Sequence, residues 1–321
     1  MERTIDVTAL GELLIDFTES GLSPQGNPLL EANPGGAPCN LLAMLARLGH
    51  RTAFLGKVGR DAFGDMLRQR VSGVGVDVSG LRVDENIPTT LAFVHTQPGG
   101  ERDFSFYRKP GADLMLGEDE VDFDKIAASR VFHFGTLSST GEPARSATRA
   151  ALAYAKAHGC LISFDPNLRP PLWDSLDRAR EEIDFGLSQC DVLKISDNEI
   201  EFMTGETDID VGVGKLLQRH PIPLVLATMG PGGSKAFFRG QTVFAPPKLT
   251  EKTIETTGAG DTFGGCALHF VLKYGLDGLN EDRLHEMLTF ANAAASLVTT
   301  RKGALCVMPT PEEVRDYMAR D

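Results

Sequence analysis

Apolar residues along this chain follow two alternating rhythms. Short, nearly continuous apolar runs occur at Ile5–Leu10, Val131–Phe134, Leu161–Phe164, Val192–Ile195 and Leu224–Ala227. Their length and make-up are those of strands covered on both faces. Between them, apolar residues recur three and four apart around Pro143–His158, Leu176–Leu187 and Val211–Gln218, which predicts amphipathic helices. Leu41, Leu42, Leu45 and Leu48 mark an earlier helix that begins near Pro38 and stops at Gly49. Proline at the start and glycine at the stop is the usual helix asymmetry. Gln241–Ala245 adds a β stretch, and Asp282–Thr299 reads as a long helix near the end. Strands alternating with helices predict an α/β fold: a mainly parallel sheet with helices on both faces.

One region breaks the alternation. Thr90–Thr96 and Asp103–Tyr107 are strand-like runs joined by the turn signal Gln97-Pro-Gly-Gly100, which predicts a hairpin. Phe93, Phe104, Phe106 and Tyr107 give it more apolar area than a lone ribbon can bury. It must therefore cover something: the mouth of an active site, a partner subunit, or both.

Composition narrows the class without naming it. The 321 residues, 42% hydrophobic and 24% charged, are those of an ordinary soluble globule, large enough for one domain with a subdomain. A net charge of −12 argues against nucleic-acid and anionic-membrane partners. Five scattered cysteines with no C-x-x-C, and seven histidines with no H-x-x-x-H, make a structural zinc site improbable and suit reduced thiols in the cytoplasm. The opening Met1–Asp6 is not a signal peptide, and no apolar run approaches membrane-spanning length.

Gly258-Ala259-Gly260-Asp261 carries the most chemistry. It runs into a segment in which Phe263, Ala267, Phe270, Val271 and Tyr274 recur at helical spacing. Two glycines there let backbone N–H groups converge on one point at a helix N-terminus, where the dipole favours an anion. A carboxylate in that first turn would repel a resting phosphate, so Asp261 suits a base that takes a proton from a hydroxyl attacking phosphorus. The same four residues also read as a plain N-cap after a glycine loop. No Walker A loop occurs, and Gly264 falls one residue too late for a dinucleotide fingerprint.

A second motif, Asn33-Pro-Gly-Gly-Ala-Pro-Cys-Asn40, runs into the leucine-rich helix and by itself is only a turn. Gly-Gly-x-Pro-x-Asn near the N-terminus, a hairpin after it and Gly-Ala-Gly-Asp near the C-terminus together resemble the ribokinase-like (PfkB) family of sugar and nucleoside kinases. The similarity runs from about Ala9 to beyond Gly303. Five segments look like fructokinases: Gly35–Asn40, Leu55–Gly59, Phe106–Arg108, Asp165–Arg169 with Pro171–Trp173, and Lys194–Ser196.

The resemblance implies a ribokinase-like fold with an α/β body over residues 1–15, 35–86 and 112–321, and a β lid over 16–34 and 87–111. It implies an ATP-dependent, magnesium-requiring sugar kinase acting on the 6-hydroxyl of D-fructose, with 2-keto-3-deoxygluconate as the alternative substrate. By the same resemblance the amides of Gly258, Ala259 and Gly260 form an anion hole for the γ-phosphate, and Asp261 is the general base. Asp16, Gly36, Asn40, Phe106, Arg108 and Arg169 would bind the sugar, with Arg108 and Arg169 at its anomeric end. Asn198, Thr228, Gly230, Gly233, Gly260 and Asn292 would bind the nucleotide, Asn292 beside the adenine. Glu201 would organise magnesium through water. A homodimer through the lid is implied as well.

Two departures from the family pattern matter. Thr136, Ser138 and Ser139 follow the 131–134 strand where ribokinases place an acid, which argues against ribose. Glu255 stands where an aspartate contributes to a potassium site in many members, so potassium dependence is open. A catalytically silent sugar-responsive regulator would be expected to have lost Asp261 or the glycines, and all are present. A nicotinamide-dependent dehydrogenase would suit a parallel sheet but lacks its fingerprint.

Overall fold

The structure, a computed structural model, describes residues 3–96 and 102–320. Fourteen strands and ten α-helices are described. They run β1 Ile5–Leu10, β2 Leu14–Leu22, β3 Pro28–Gly35, α1 Ala37–Arg47, β4 Thr52–Gly59, α2 Ala62–Gly73, β5 Val76–Asp77, β6 Leu81–Asp84, β7 Leu91–Thr96 and β8 Arg102–Tyr107. Next come α3 Phe123–Ala127, β9 Ser129–Phe134, α4 Ala144–Ala157, β10 Leu161–Phe164, α5 Leu176–Gln189, β11 Val192–Ser196, α6 Asp197–Thr204 and α7 Ile209–Arg219. The chain closes with β12 Leu224–Thr228, β13 Ser234–Phe238, β14 Gln241–Ala245, α8 Ala259–Tyr274, α9 Glu281–Val298 and α10 Pro311–Met318.

The main sheet has the order β14-β13-β12-β11-β10-β9-β1-β4-β5, with β6 pairing β4. It is parallel from β12 to β5, and β13 and β14 add an antiparallel edge. Side chains alternate along each strand, so both faces carry apolar residues. On β12, Leu224 and Leu226 enter one core with α1, α8 and α9, while Val225 and Ala227 enter the other with α4, α5 and α7. This is why the strands read as apolar runs.

The expected hairpin is part of a larger unit. Strand β7 pairs antiparallel with β8 and parallel with β2, which pairs antiparallel with β3, giving the four-stranded order β3-β2-β7-β8. The ribbon is therefore not isolated, and pairing with β2 gives Phe93 an aromatic neighbour while Tyr107 stays exposed. Phe17 stacks on Phe93 at 4.9 Å and meets Phe63 of α2 edge-on at 5.6 Å. Phe93 also meets Tyr107 at 5.2 Å. Asp16 and Phe106 occupy the opposite parity and face the main body. The turn Gln97-Pro-Gly-Gly100 and the side chain of Phe104 lie outside the described residues. No described helix is long and apolar enough to cross a membrane.

Candidate active site

In a parallel sheet every strand delivers its C-terminal end to the same edge, and ligands bind beyond that edge. Here β1, β9, β11 and β12 all end there. A cavity of about 590 Å³ opens above them, lined by Asp16, Gly36, Asn40, Phe106, Arg169, Gly258, Gly260 and Asp261. A second cavity, of about 360 Å³, adjoins it between the Thr228–Gly233 loop and α9, and Thr228, Thr256 and Gly260 line both. The N-terminus of α8 sits at their junction.

Two glycines make this edge possible. Gly36, at the start of α1, has φ +123°, and a Cβ there would collide with the backbone carbonyl of Glu12. Gly258 caps α8 with φ +78°, and a Cβ would run into Ala304. Both are backbone states that side chains other than glycine rarely adopt. Helix α1 then carries Asn40 to Asp261, where Asn40 Nδ2 donates to Asp261 Oδ2 at 2.7 Å. Asn40 Oδ1 is buried without a protein partner, so a ligand hydroxyl at this corner would satisfy it.

The charges around Asp261 set its chemistry. Burial, and then repulsion from Asp165, push its pKa from 3.8 up to about 6, against the pull of Asn40, Lys194 and Arg169. Lys194 stands behind it, paired with Asp165 Oδ2 at 3.0 Å. Burial pulls the Lys194 pKa down, but Asp165, Glu199 and Asp261 together outweigh it, so the ammonium stays charged. The arrangement is a partly neutralised carboxylate beside a helix N-terminus, poised to accept a proton near neutrality.

The sequence profile of "pfkB family carbohydrate kinase" matches residues 4–311. The chain belongs to the pfkB family of carbohydrate kinases. It is 41% identical over 318 residues to "Probable fructokinase-2" of Arabidopsis thaliana, covering 97% of this chain and 95% of that one. The fructokinase of Xylella fastidiosa with bound ATP superposes with a TM-score of 0.88 at 30% identity, covering 98% of both chains. A double mutant of the fructokinase from Vibrio cholerae O395, in a form binding fructose, ADP and potassium ion, superposes with a TM-score of 0.87 at 30% identity, covering 99% of this chain and 100% of that one. The protein is thus a sugar kinase with the ribokinase-like fold.

Several residues of the kinase fall elsewhere than their motifs suggested. Arg108 does not line the first cavity. Its guanidinium is buried against Asp113, with Nε and Nη2 donating to Oδ2 at 2.8 and 2.6 Å, and it also donates to the Leu137 carbonyl and to Thr140. An acid five residues on claims the arginine, so Arg169 is the arginine left at the cavity. Glu201 and Asn198 are exposed and line neither cavity. The buried acid at that corner is Glu199, whose carboxylate takes the N–H groups of Leu168 and Ser196, both at 2.8 Å. Helix α6 buries its third residue because Ser196 and Glu199 close a capping box, and Ser-x-x-Glu after a strand was the overlooked signal.

Thr228, Gly230, Gly233 and Asn292 line the second cavity, as does Ala259. Glu255 lies outside both cavities, with Gly303 N donating to its carboxylate at 3.4 Å. Glu12, which the motifs did not flag, lines the first cavity and accepts from Ala37 N at 2.9 Å. It supplies from another loop the cap that Gly36 cannot. Burial raises its pKa to about 7, against its own backbone N–H, that of Ala37 and the charge of Arg108.

Proposed function

We propose that the kinase transfers the γ-phosphate of ATP to the 6-hydroxyl of D-fructose. The observation that carries this reading is the place of Asp261: at the junction of two cavities, beside a helix N-terminus, and held by Asn40. The carboxylate-lined cavity takes the sugar, where Asp16 can bind paired hydroxyls through charge-assisted hydrogen bonds. The apolar cavity takes the base, and the triphosphate crosses Gly258–Gly260. As the 6-oxygen attacks the γ-phosphorus, Asp261 takes its proton, the bond to the bridging oxygen of ADP breaks, and the backbone amides stabilise the charge on the equatorial oxygens. Neutral sugar is favoured over 2-keto-3-deoxygluconate because Arg108 and Lys194 are paired with Asp113 and Asp165, which leaves Arg169 to face the cavity carboxylates of Glu12, Asp16 and Asp261.

Among the described residues no cluster of three metal-binding side chains occurs. Magnesium needs no such cluster, because it keeps much of its water and uses substrate phosphates. Glu199, a hard oxygen ligand at the cavity wall, would hold it through water, and when bound it would neutralise phosphate charge. Glu255, one methylene longer than aspartate, would give a weaker or less selective potassium effect. ADP release should be measured across fructose, 2-keto-3-deoxygluconate, ribose, glucose and adenosine, in potassium and in tetramethylammonium buffers. Fructose is expected to be preferred, with modest potassium activation. Preference for the acidic sugar would overturn the substrate assignment, and a strict potassium requirement would overturn the role given to Glu255.

With Asp261 as the base, kcat/KM should fall as pH drops through about 6, because the proton-accepting form is lost below its pKa. Glu12, at about 7, is the competing source of such a limb. Glu12→Gln keeps the acceptor for Ala37 N, so the limb should persist in that variant. Its disappearance would assign the titration to Glu12.

The outward face of the four-stranded sheet exposes Leu30 and Tyr107, which are 42% and 67% accessible. Packed against a second copy, this face would form the dimer that lids of the family suggest, closing the sugar site to water. Sedimentation at micromolar concentration should give a dimer that Tyr107→Glu weakens. A wild-type monomer would remove this claim.

A further inference from the structure

The second cavity holds the nucleotide base under the reading above, and its walls leave little to read the base with. Asn292, the amide best placed to recognise a base edge, is committed to the protein. Its Nδ2 donates to the carbonyls of Ala245 and Pro246 at 3.2 and 2.9 Å, and its Oδ1 accepts from Ser234 Oγ at 2.9 Å. Both donors are used, and two carbonyl partners fix which end is the amide nitrogen. Asn292 thus fastens β13 and the end of β14 to α9.

Thr228 and Thr256 lie at the junction with the first cavity, on the phosphate side, and the polar side chains farther into the slot are engaged within the protein. Thr299 Oγ1 donates to the Ser296 carbonyl at 2.7 Å, Ser296 Oγ pairs with Tyr317 Oη at 3.1 Å, and Lys248 reaches the Arg320 carbonyl. Pro246 and Pro247 have no N–H to offer, and the Pro246 carbonyl is already taken. Phe263, Ala295, Pro231 and Leu249 complete a largely apolar slot. A site built to hydrogen-bond one edge rejects analogues lacking that edge by about 10⁴-fold or more, whereas a site that only covers the ring discriminates weakly.

We infer that this kinase grips the donor base by shape and apolar contact without reading its edge, so that purine nucleotides other than adenine nucleotides serve as phosphate donors. Inosine nucleotides test this directly, because they differ from adenine nucleotides only at the 6-substituent and N1. Calorimetric titration of the whole protein with ADP and IDP should give dissociation constants within about tenfold of each other, and ITP should support turnover in the same proportion. IDP binding weaker by more than about 100-fold would overturn the inference. Asn292→Ala should weaken ADP and IDP by the same factor, since it loosens the wall; a change in their ratio would show Asn292 to be a reader and overturn it too. The inference rests on the kinase assignment of the second cavity but is separable from the sugar. If ADP and IDP bind alike while no sugar releases ADP from ATP, the sugar assignment fails and the base inference stands.

Discussion

Asp261→Asn is expected to lower kcat by on the order of 10³-fold while nucleotide affinity stays within a few-fold. Asparagine has the same shape, and its Oδ1 can still accept from Asn40 Nδ2, so the N-terminus of α8 should keep its form. On the proposed mechanism, what is lost is the ability to take a proton as the hydroxyl attacks. That role exists only on the way to the transition state, so kcat should suffer far more than ground-state binding. Steady-state kinetics with ATP and fructose, paired with ADP titration, check both halves. A variant retaining more than roughly a tenth of wild-type turnover would show that Asp261 is not the base.

Asp113→Ala should be among the most destabilising single substitutions away from the apolar cores. The side chains of Arg108 and Asp113 are 2% and 1% exposed, so the change leaves a guanidinium buried without its counter-charge. Removing one member of such a pair costs about 3–5 kcal/mol, which a lowered denaturant midpoint would report. Arg108→Met combined with Asp113→Leu should recover part of that loss, because both desolvated charges go together. The recovery is partial because Thr90, Leu137 and Thr140 lose polar partners as well. A loss below about 1 kcal/mol in Asp113→Ala would mean that the pair behaves as a solvated surface bridge.

The same pair marks the limit of reading an arginine from its motif. Phe106-Tyr-Arg108 located the residue in the fold, but whether the guanidinium faces the sugar or an acid five residues on depends on how β8 enters the loop beneath it. Glu199 and Glu201 differ likewise. The motif pointed to an acid at this corner, and the hydrogen-bonded turn at Ser196 decided that Glu199 is buried and Glu201 is not. For Asn292 the resemblance implied a place beside the adenine, and the residue does line the second cavity, while three bonds to β13 and the end of β14 decided that it holds the wall.

Local physics was legible in the chain itself. Strands buried on both faces need consecutive apolar residues, so β1, β9, β10, β11 and β12 were visible within a residue or two of their ends. Helices packed on one side need a 3.6-residue period, and glycine at Gly36 and Gly258 announces backbone angles that other residues avoid. Pairings between distant segments were not legible. The β7–β8 ribbon reads as a lone hairpin until β2, some seventy residues earlier, lies alongside it in parallel. Asn40 meets Asp261 across 221 residues, and Asp261 acquires its pKa of about 6 only once Asp165, Lys194 and Arg169 converge on it. Periodicity and backbone preference act over a few residues, so they determined the elements, while the motifs in the sequence carried the resemblance to the family. Desolvation and charge pairing act through space, so only the folded chain decided which side chains line the cavities and which are spent holding their walls.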